Sequence, residues 1–211
     1  MDFSYLLEPY DNLTAKADQA FKRVQKAFPD CVKCEPHCAD CCHAVFGLFL
    51  IEAVFLKHDF DQLGEKERTA VLKRGDEADR ELEALERTLR EFENDPQMCS
   101  YAMAKARIRC PLLSDNNDCS LYLYRPITCR VYGIPTVVNG TVRVCGKSGF
   151  EKRKQYPVFD LDGTYKELYA LSQEVLKKAD NEDVEKKASL LISISKIIKT
   201  PVEDLIHKSL G

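Results

Sequence analysis

The run Cys31-Val32-Lys33-Cys34-Glu35-Pro36-His37-Cys38-Ala39-Asp40-Cys41-Cys42 places five cysteines within twelve residues. Thiols at this density either bridge one another or hold a metal, because free thiols in such a group oxidise readily. The adjacent pair Cys41 and Cys42 is connected too stiffly for easy disulfide geometry. The segment therefore predicts a metal or cluster site.

Two ligand spacings overlap in this run. Cys31-x2-Cys34 and Cys38-x2-Cys41 are knuckle pairs of the kind that wrap a tetrahedral zinc. Cys34-x3-Cys38-x2-Cys41 is also the three-cysteine spacing with which radical S-adenosylmethionine enzymes hold a four-iron cluster. Those enzymes place the motif after the first strand of a large barrel, whereas here it follows a helix. The match indicates only that the spacing is sterically compatible with a cubane cluster.

A second group of cysteines lies far along the chain, at Cys110, Cys119, Cys129 and Cys145, with gaps of 8, 9 and 15 residues. Such gaps suit ligands presented from separate loops around a cavity. The alternative is that some of these cysteines are buried structural residues, which behave as small apolar side chains. We expect Cys99, which belongs to no motif, to be a cysteine of that structural kind.

Further motifs accompany the cysteines: a helix bearing Glu52, then Cys110-Pro111-Leu112-Leu113, Cys119-Ser120-Leu121-Tyr122 and Arg125-Pro126-Ile127-Thr128-Cys129-Arg130-Val131-Tyr132. Together with Cys38-Ala39-Asp40-Cys41-Cys42, they resemble the YkgJ-type cysteine-cluster family, whose members are described as zinc- or iron-chelating proteins. The resemblance covers residues 31–145. The family's usual first block is Cys-x2-Cys-x2-Cys-Cys, and this chain is one residue longer there. Either Cys31 or Cys34 is therefore the first ligand.

The resemblance implies a metal-ligand set, led by Cys38, Cys41, Cys42, Cys110, Cys119 and Cys129, with Cys34 and Cys145 next. Arg125 and Arg130 flank Cys129 and are candidates to donate N–H bonds to sulfur; a salt bridge that shapes the turn is the alternative role. Ligation by cysteine alone favours an iron–sulfur cluster of the four-iron type, with zinc as the alternative.

Composition narrows the class of protein. The chain has 211 residues and a net charge of −3, which gives no reason to expect a nucleic-acid or anionic-membrane partner. The longest apolar run, residues 44–56, is too short for a membrane span. The amino terminus shows no signal peptide, so we expect a cytoplasmic protein, in which cysteine clusters are more often metal sites than disulfide frameworks. Five disulfides are the alternative use of the ten cysteines.

The predicted fold is a single domain, 1–211, mainly α with a small β-hairpin. An irregular cysteine-rich metal-binding core, 31–145, is enclosed by helical flanks, 1–30 and 146–211. Periodic apolar residues predict helices from residue 11 or 12 to 28 and over 64–94. The second of these is either a coiled-coil dimerisation helix or a helix packed on the core. Asn139-Gly140 predicts the hairpin turn. Helices are also expected over 165–179 and 184–198, with a last one capped by Thr200.

The sequence indicates the function less clearly than it indicates the metal ligands. The main hypothesis is a cluster-binding protein with a redox or catalytic role that the sequence does not assign. Since no separate acid/base constellation is visible, whether it is an enzyme stays open. The alternative is a structural zinc module that acts in protein interaction, metal storage or sensing.

Overall fold

A helix that is buried on nearly every side, α2 (Leu50–Asp61), lies at the centre of the core. It contacts three helices from the carboxy-terminal third of the chain, namely α6 (Leu161–Lys178), α8 (Ile194–Lys199) and α9 (Val202–His207). Its buried residues are not confined to one stripe, as is usual for a helix inside the core. The computed structural model describes residues 4–208. The extreme ends of the predicted flanks, Met1–Phe3 and residues 209–211, lie outside the described residues.

Within residues 4–208 the chain is mainly helical with a small sheet, which confirms the predicted fold class. The remaining helices are α1 (Leu7–Ala27), α3 (Glu65–Glu91), α4 (Pro96–Lys105), α5 (Ile127–Val131), α6 (Leu161–Lys178), α7 (Val184–Ala188), α8 (Ile194–Lys199) and α9 (Val202–His207). Single 3-10 turns occur at Ser4–Leu6, Cys41–His43 and Tyr122–Tyr124. That these helices enclose a cysteine-rich metal-binding core stays a prediction.

The predicted hairpin is confirmed, and it gains a third strand. Strands β1 (Thr136–Val138) and β2 (Thr141–Arg143) pair antiparallel around Asn139 and Gly140, whose φ angles are both positive as a primed turn requires. Strand β3 (Phe159–Asp160) adds to the other edge of β1 in parallel, so the sheet order is β2-β1-β3. A two-residue strand carries too little pattern to be found in sequence.

Several helix boundaries differ from the sequence prediction, which also missed α4; α6, for example, begins at Leu161 and not at residue 165. Helix α1 begins at Leu7, four or five residues before the predicted caps Asp11 and Asn12, because Leu6 and Tyr10 are buried and tertiary packing extends the helix. Tyr10 stacks on Phe55 of α2 with ring centroids 5.0 Å apart.

The predicted helix over 184–198 is wrong, because the chain breaks there into α7 and α8. Between them Ile192 forms a β-bridge with Leu48, with both N–H···O bonds at 2.9 Å, which takes its backbone out of any helix. The predicted cap of the last helix is also wrong. The Thr200 hydroxyl donates to the carbonyl of Lys196 in α8 and caps nothing in α9.

Helix α3 is packed on the core at its amino-terminal half, where Val71, Gly75 and Ala78 are buried. Gly75 faces α8, and a Cβ there would lie 3.1 Å from Ile198 Cδ1. Lys199 of α8 closes the same contact with ion pairs to Asp76 and Asp79. The structure therefore uses this half of the stripe for core packing, which was one of the two predicted roles of the helix.

A buried carboxylate joins α2 to α5. Glu52 is 2 % exposed, and its Oε1 accepts the N–H of Ile127 at 3.0 Å while Oε2 accepts the N–H of Phe49 at 3.4 Å. Burial raises the pKa of Glu52 from 4.5 to about 7, although both hydrogen bonds act to lower it.

No helix within residues 4–208 combines the length and apolarity that a bilayer crossing demands.

Glu52 makes stability depend on pH. Between pH 4.5 and about 7 the folded state keeps a proton on Glu52 that the unfolded state has lost, so the free energy of unfolding falls as pH rises. The total loss is about 3 kcal/mol. Glu52→Gln cannot titrate and should lack this loss, which urea unfolding across this pH range under reducing conditions would measure. An exposed carboxyl variant, Glu8→Gln, should follow the wild-type profile. Parallel profiles for wild type and Glu52→Gln would contradict the assignment.

Candidate metal centre

The first cysteine block forms a compact turn. Cys38 donates its N–H to the carbonyl of Glu35, and Cys42 donates to Ala39, so the chain winds into the 3-10 turn Cys41–His43. His37 lies in the turn that the Cys38–Glu35 hydrogen bond closes, where it has a positive φ of 64°. Its Nδ1 lies 3.2 Å from Asp118 Oδ1. His37 thus joins this block to the loop before Cys119.

Backbone hydrogen bonds tie the first block directly to the second. The N–H of Cys110 donates to the carbonyl of Cys42 at 2.7 Å, and the N–H of Ile108 donates to His43 at 3.1 Å. Ala44 and Arg107 continue the contact as an antiparallel bridge. Cysteines almost 70 residues apart in the chain are therefore neighbours in space.

The loop that follows returns Cys119 to Cys110. Leu113 and Cys119 form an antiparallel bridge across the turn 114–118, and Asn117 supplies a positive φ of 62°. Cys129 arrives on α5, whose first N–H, on Ile127, is held by Glu52. Backbone contacts thus position Cys110, Cys119 and Cys129 separately.

Five thiols line one cleft: Cys41, Cys42, Cys110, Cys119 and Cys129. The sulfurs of Cys41 and Cys42 are 4.0 Å apart. Among residues 4–208, no three His, Cys, Asp or Glu side chains are drawn together in an arrangement that could hold a metal ion. The fold thus brings these ligand candidates to one cleft without setting coordination geometry.

The pKa values of the five thiols are shifted in different directions. Burial, followed by repulsion from neighbouring thiolates, raises the pKa of Cys129 well above its ordinary value, and burial raises that of Cys110 to about 12. Burial also raises the pKa of Cys119. The Cys41 and Cys42 thiols share a hydrogen bond, which lowers the pKa of Cys41 to about 7 and raises that of Cys42. Cys41 is therefore the first of the group to ionise.

Arg125 and Arg130, the two arginines predicted to donate to sulfur, have different surroundings. The cation of Arg125 acts to lower the pKa of Cys41, Cys119 and Cys129, and Arg125 lines the cleft with them. Its guanidinium is stacked 3.7 Å above the Tyr122 ring.

Arg130 instead donates to oxygen acceptors: the carboxylate of Asp18 at 2.8 Å and the carbonyls of Arg125 and Leu123. The structure thus gives Arg130 the turn-shaping ion pair that was the alternative role.

The remaining predicted ligands form a neighbouring group. Cys38, Cys145 and Cys41 all act to raise the pKa of Cys34, which burial and these neighbours bring to about 11. Cys145 donates its thiol to Asp40 Oδ2 at 3.2 Å, and Asp40 is held by Arg107 at 2.7 Å. The eight predicted ligands therefore divide into five around the cleft and three beside it.

Cys34, rather than Cys31, adjoins the other thiols. Its sulfur lies against Gly133, where an added Cβ would overlap it. Cys31 instead accepts the N–H of Gly149 on its carbonyl at 2.8 Å, and its charge acts on Lys154. Cys99, expected to be a structural cysteine, is half-buried and donates its thiol to the carbonyl of Phe92 at 3.1 Å. All ten cysteines are free thiols.

Comparison with known proteins adds no relative, since no family model, curated protein or solved structure matches the chain. The YkgJ-type resemblance therefore stays a prediction from the motifs.

Sequence reasoning missed Asp40 and Arg109 at this site, although each is adjacent to or near a cysteine of the motifs. It also missed the far wall of the cleft, which includes Leu82 of α3 and Ile194 of α8. No local signal could have found that wall, because it depends on how α3 and α8 dock.

Gly133→Ala should destabilise the protein, because its Cβ would overlap the Cys34 sulfur. Overpacking of this kind costs about 1–3 kcal/mol, measurable by urea unfolding. Gly146→Ala, where a Cβ meets open space, is the matched control. Cys34→Ala should restore much of the stability of Gly133→Ala. Equal unfolding midpoints for the two glycine variants would show that Cys34 does not lie against Gly133.

In reduced, metal-free protein, Cys41 should react with iodoacetamide faster than Cys42, Cys110 or Cys129 at neutral pH. Its pKa of about 7 gives it the largest thiolate fraction there, and only thiolates react. Arg125→Gln should slow Cys41 at pH 7 by removing a cation that lowers its pKa, whereas Arg143→Gln on the exposed strand β2 should not. Peptide mapping by mass spectrometry against pH measures each rate. Fastest labelling of Cys110 would contradict the order.

Proposed function

We propose that this protein binds a thiophilic metal centre through cysteines of two separated blocks. The observation that supports it best is that Cys41, Cys42, Cys110, Cys119 and Cys129 line a single cleft. Five thiols in one cleft are unusual for structural cysteines, which are normally dispersed through an apolar core. Soft thiolate ligands select zinc, copper(I) and iron–sulfur clusters over hard cations.

The donor set fits a cluster better than one ion. Sulfurs that share one zinc lie about 3.8 Å apart, given Zn–S bonds near 2.3 Å in a tetrahedron. The Cys41–Cys42 contact, at 4.0 Å, approaches that separation, but no three such donors among residues 4–208 come together in this way. A cubane spreads its ligands further apart, as thiols lining the walls of a cleft are spread. An iron–sulfur cluster of the four-iron type is therefore the first proposal.

Charge compensation supports the same location. Metal ligation needs thiolates, yet burial keeps the pKa of Cys110 and Cys129 high, so binding must release protons. Arg125 is the cation placed against these thiols, and it would offset the negative charge of the loaded centre. The family resemblance supports metal binding in the same residues, and a reducing cytoplasm would preserve the thiols.

A structural zinc site is the second candidate, favoured by the short Cys41–Cys42 separation. In that case the helices would form a surface for a protein partner or the neighbouring thiols would exchange metal. A redox or catalytic role is proposed only for the cluster form, in which the cleft would provide access to the centre.

Cys119→Ser and Cys129→Ser should each lose metal and unfold at lower urea, because ligation contributes folding free energy. Anaerobic purification followed by iron, zinc and acid-labile sulfide analysis measures the content, and a brown protein with broad visible absorbance indicates a cluster. Cys99→Ser, which lies outside the cleft, is the matched control and should keep its metal. A colourless wild-type protein with stoichiometric zinc would show that the centre holds zinc and not an iron–sulfur cluster. Full metal content in both Cys119→Ser and Cys129→Ser would overturn the ligand set.

A further inference from the structure

One edge of the small sheet is open. The sheet order is β2-β1-β3, so β2 pairs with β1 on one side only, and all three of its residues are exposed. Since β2 closes on the two-residue turn Asn139-Gly140, the residues that flank the turn bond each other, and the N–H and C=O of Val142 point away from β1. Apart from the sheet ladder, Val142 makes no backbone hydrogen bond to residues 4–208. This edge can therefore pair with a further strand.

Apolar side chains accompany the open edge. Val142 is 55 % exposed and Val144 is 45 % exposed, at the two-residue spacing of side chains on one face of a strand. Val137 of β1 is the cross-strand partner of Val142 and is half-buried. Cross-strand contacts of this kind stabilise a sheet, and an added strand would cover Val142 from its other side.

The segment that begins with β2 is strongly basic, although the whole chain carries a net charge of −3. Residues 141–159 contain five cations and one carboxylate. The cations, all exposed, are Arg143, Lys147, Lys152, Arg153 and Lys154. The carboxylate, Glu151, pairs with Lys154, and the other four cations form no ion pair with any residue in 4–208. Unpaired cations grouped in this way favour an anionic partner.

The loop that carries these cations is tied to the core on both sides of its basic run. Gly149 donates its N–H to the carbonyl of Cys31 at 2.8 Å. Tyr156 packs edge-on against Phe28 at the end of α1, with ring centroids 5.1 Å apart. A surface that is already ordered loses little conformational entropy on binding, so it can hold a partner through few contacts.

We propose that β2 is a docking edge for an extended acidic segment of a partner protein, which adds to the sheet beside β2. The backbone of that segment bonds to Val142, and its apolar side chains cover Val142 and Val144. Its carboxylates pair with Arg143 and Lys147. Strand addition of this kind takes affinity from main-chain hydrogen bonds and specificity from alternate side chains.

Other occupants fit this edge less well. A second copy of the chain would bring its own Arg143 and Lys147 to the same edge, and like charges there repel. Single-stranded nucleic acid stacks on aromatic side chains, and residues 141–149 contain none. A lipid surface offers no backbone with which Val142 can pair. No thiol takes part in the docking edge, so this inference does not rest on the proposed metal centre.

Fluorescence anisotropy on the full-length protein under reducing conditions tests the proposal, with a labelled peptide of alternating Glu and Val as the probe. The peptide should bind saturably, and its affinity should fall as the salt concentration rises, because screening weakens the ion pairs. A peptide of alternating Gln and Val should bind at least about fivefold more weakly. A Glu-Val peptide that is N-methylated at alternate residues loses the N–H groups of one edge and should lose most of its binding.

Protein variants test where the peptide binds. The double variant Arg143→Gln with Lys147→Gln should bind the Glu-Val peptide at least about fivefold more weakly than wild type. Lys66→Gln with Arg87→Gln removes the same charge from exposed positions of α3 and should bind as wild type does. Both double variants should keep the wild-type metal content, because none of the four residues lies among the thiols.

Several results would overturn the proposal. These are the absence of saturable binding, equal affinity for the Gln-Val or N-methylated peptide, and wild-type affinity in the Arg143→Gln, Lys147→Gln variant. Tighter binding of a thymidine oligonucleotide or of phosphatidylserine vesicles than of the Glu-Val peptide would assign the cations to nucleic acid or to a membrane. A dimer, detected by light scattering, that this double variant converts to a monomer would assign the edge to a second copy.

Discussion

The fold depends on one buried carboxylate. Glu52 lies in the central helix α2, and its two oxygens hold the N–H groups of Phe49 and Ile127. These bonds join the start of α2 to the start of α5, the short helix that carries Cys129. Burial without a cation is costly for a charged group, and this is why the pKa of Glu52 rises towards neutrality. A polar link of this kind sets the position of α5 more narrowly than apolar contacts alone would, because hydrogen bonds are directional.

The candidate centre follows from that placement. Cys129 is brought in by α5, while Cys110 is tied to Cys42 by a backbone hydrogen bond and Cys119 is returned by the loop bridge to Leu113. Thiols held by three separate anchors converge on a cleft in which burial keeps most of them protonated. Only Cys41, with the Cys42 thiol and Arg125 beside it, ionises near neutral pH. Under the proposed function, these thiols would exchange protons for a metal, and Cys41 would be the first of them to bind.

The cleft has two chemically different sides, and this shapes the proposals. The thiols and Arg125 form one side, on segments that the cysteine motifs already single out. Leu82 of α3 and Ile194 of α8 also line the cleft, and Gly75 of α3 lies against Ile198 where the two helices pack. Arg109 also lines the cleft, and its Nη2 donates to the carbonyls of Leu113 and Ser114.

The sequence by itself determined the elements whose signals are local. The Asn139-Gly140 turn, the apolar stripe of α3 and the cysteine spacings all depend on neighbouring residues, and the mainly helical class with its hairpin was predicted from them. Tertiary structure decided the rest. Burial of Tyr10 started α1 early, the Leu48–Ile192 bridge divided the helix expected over 184–198, and the position of Gly133 placed Cys34, not Cys31, beside the other thiols. These outcomes rest on contacts between residues far apart in the chain, whose energies no local pattern records.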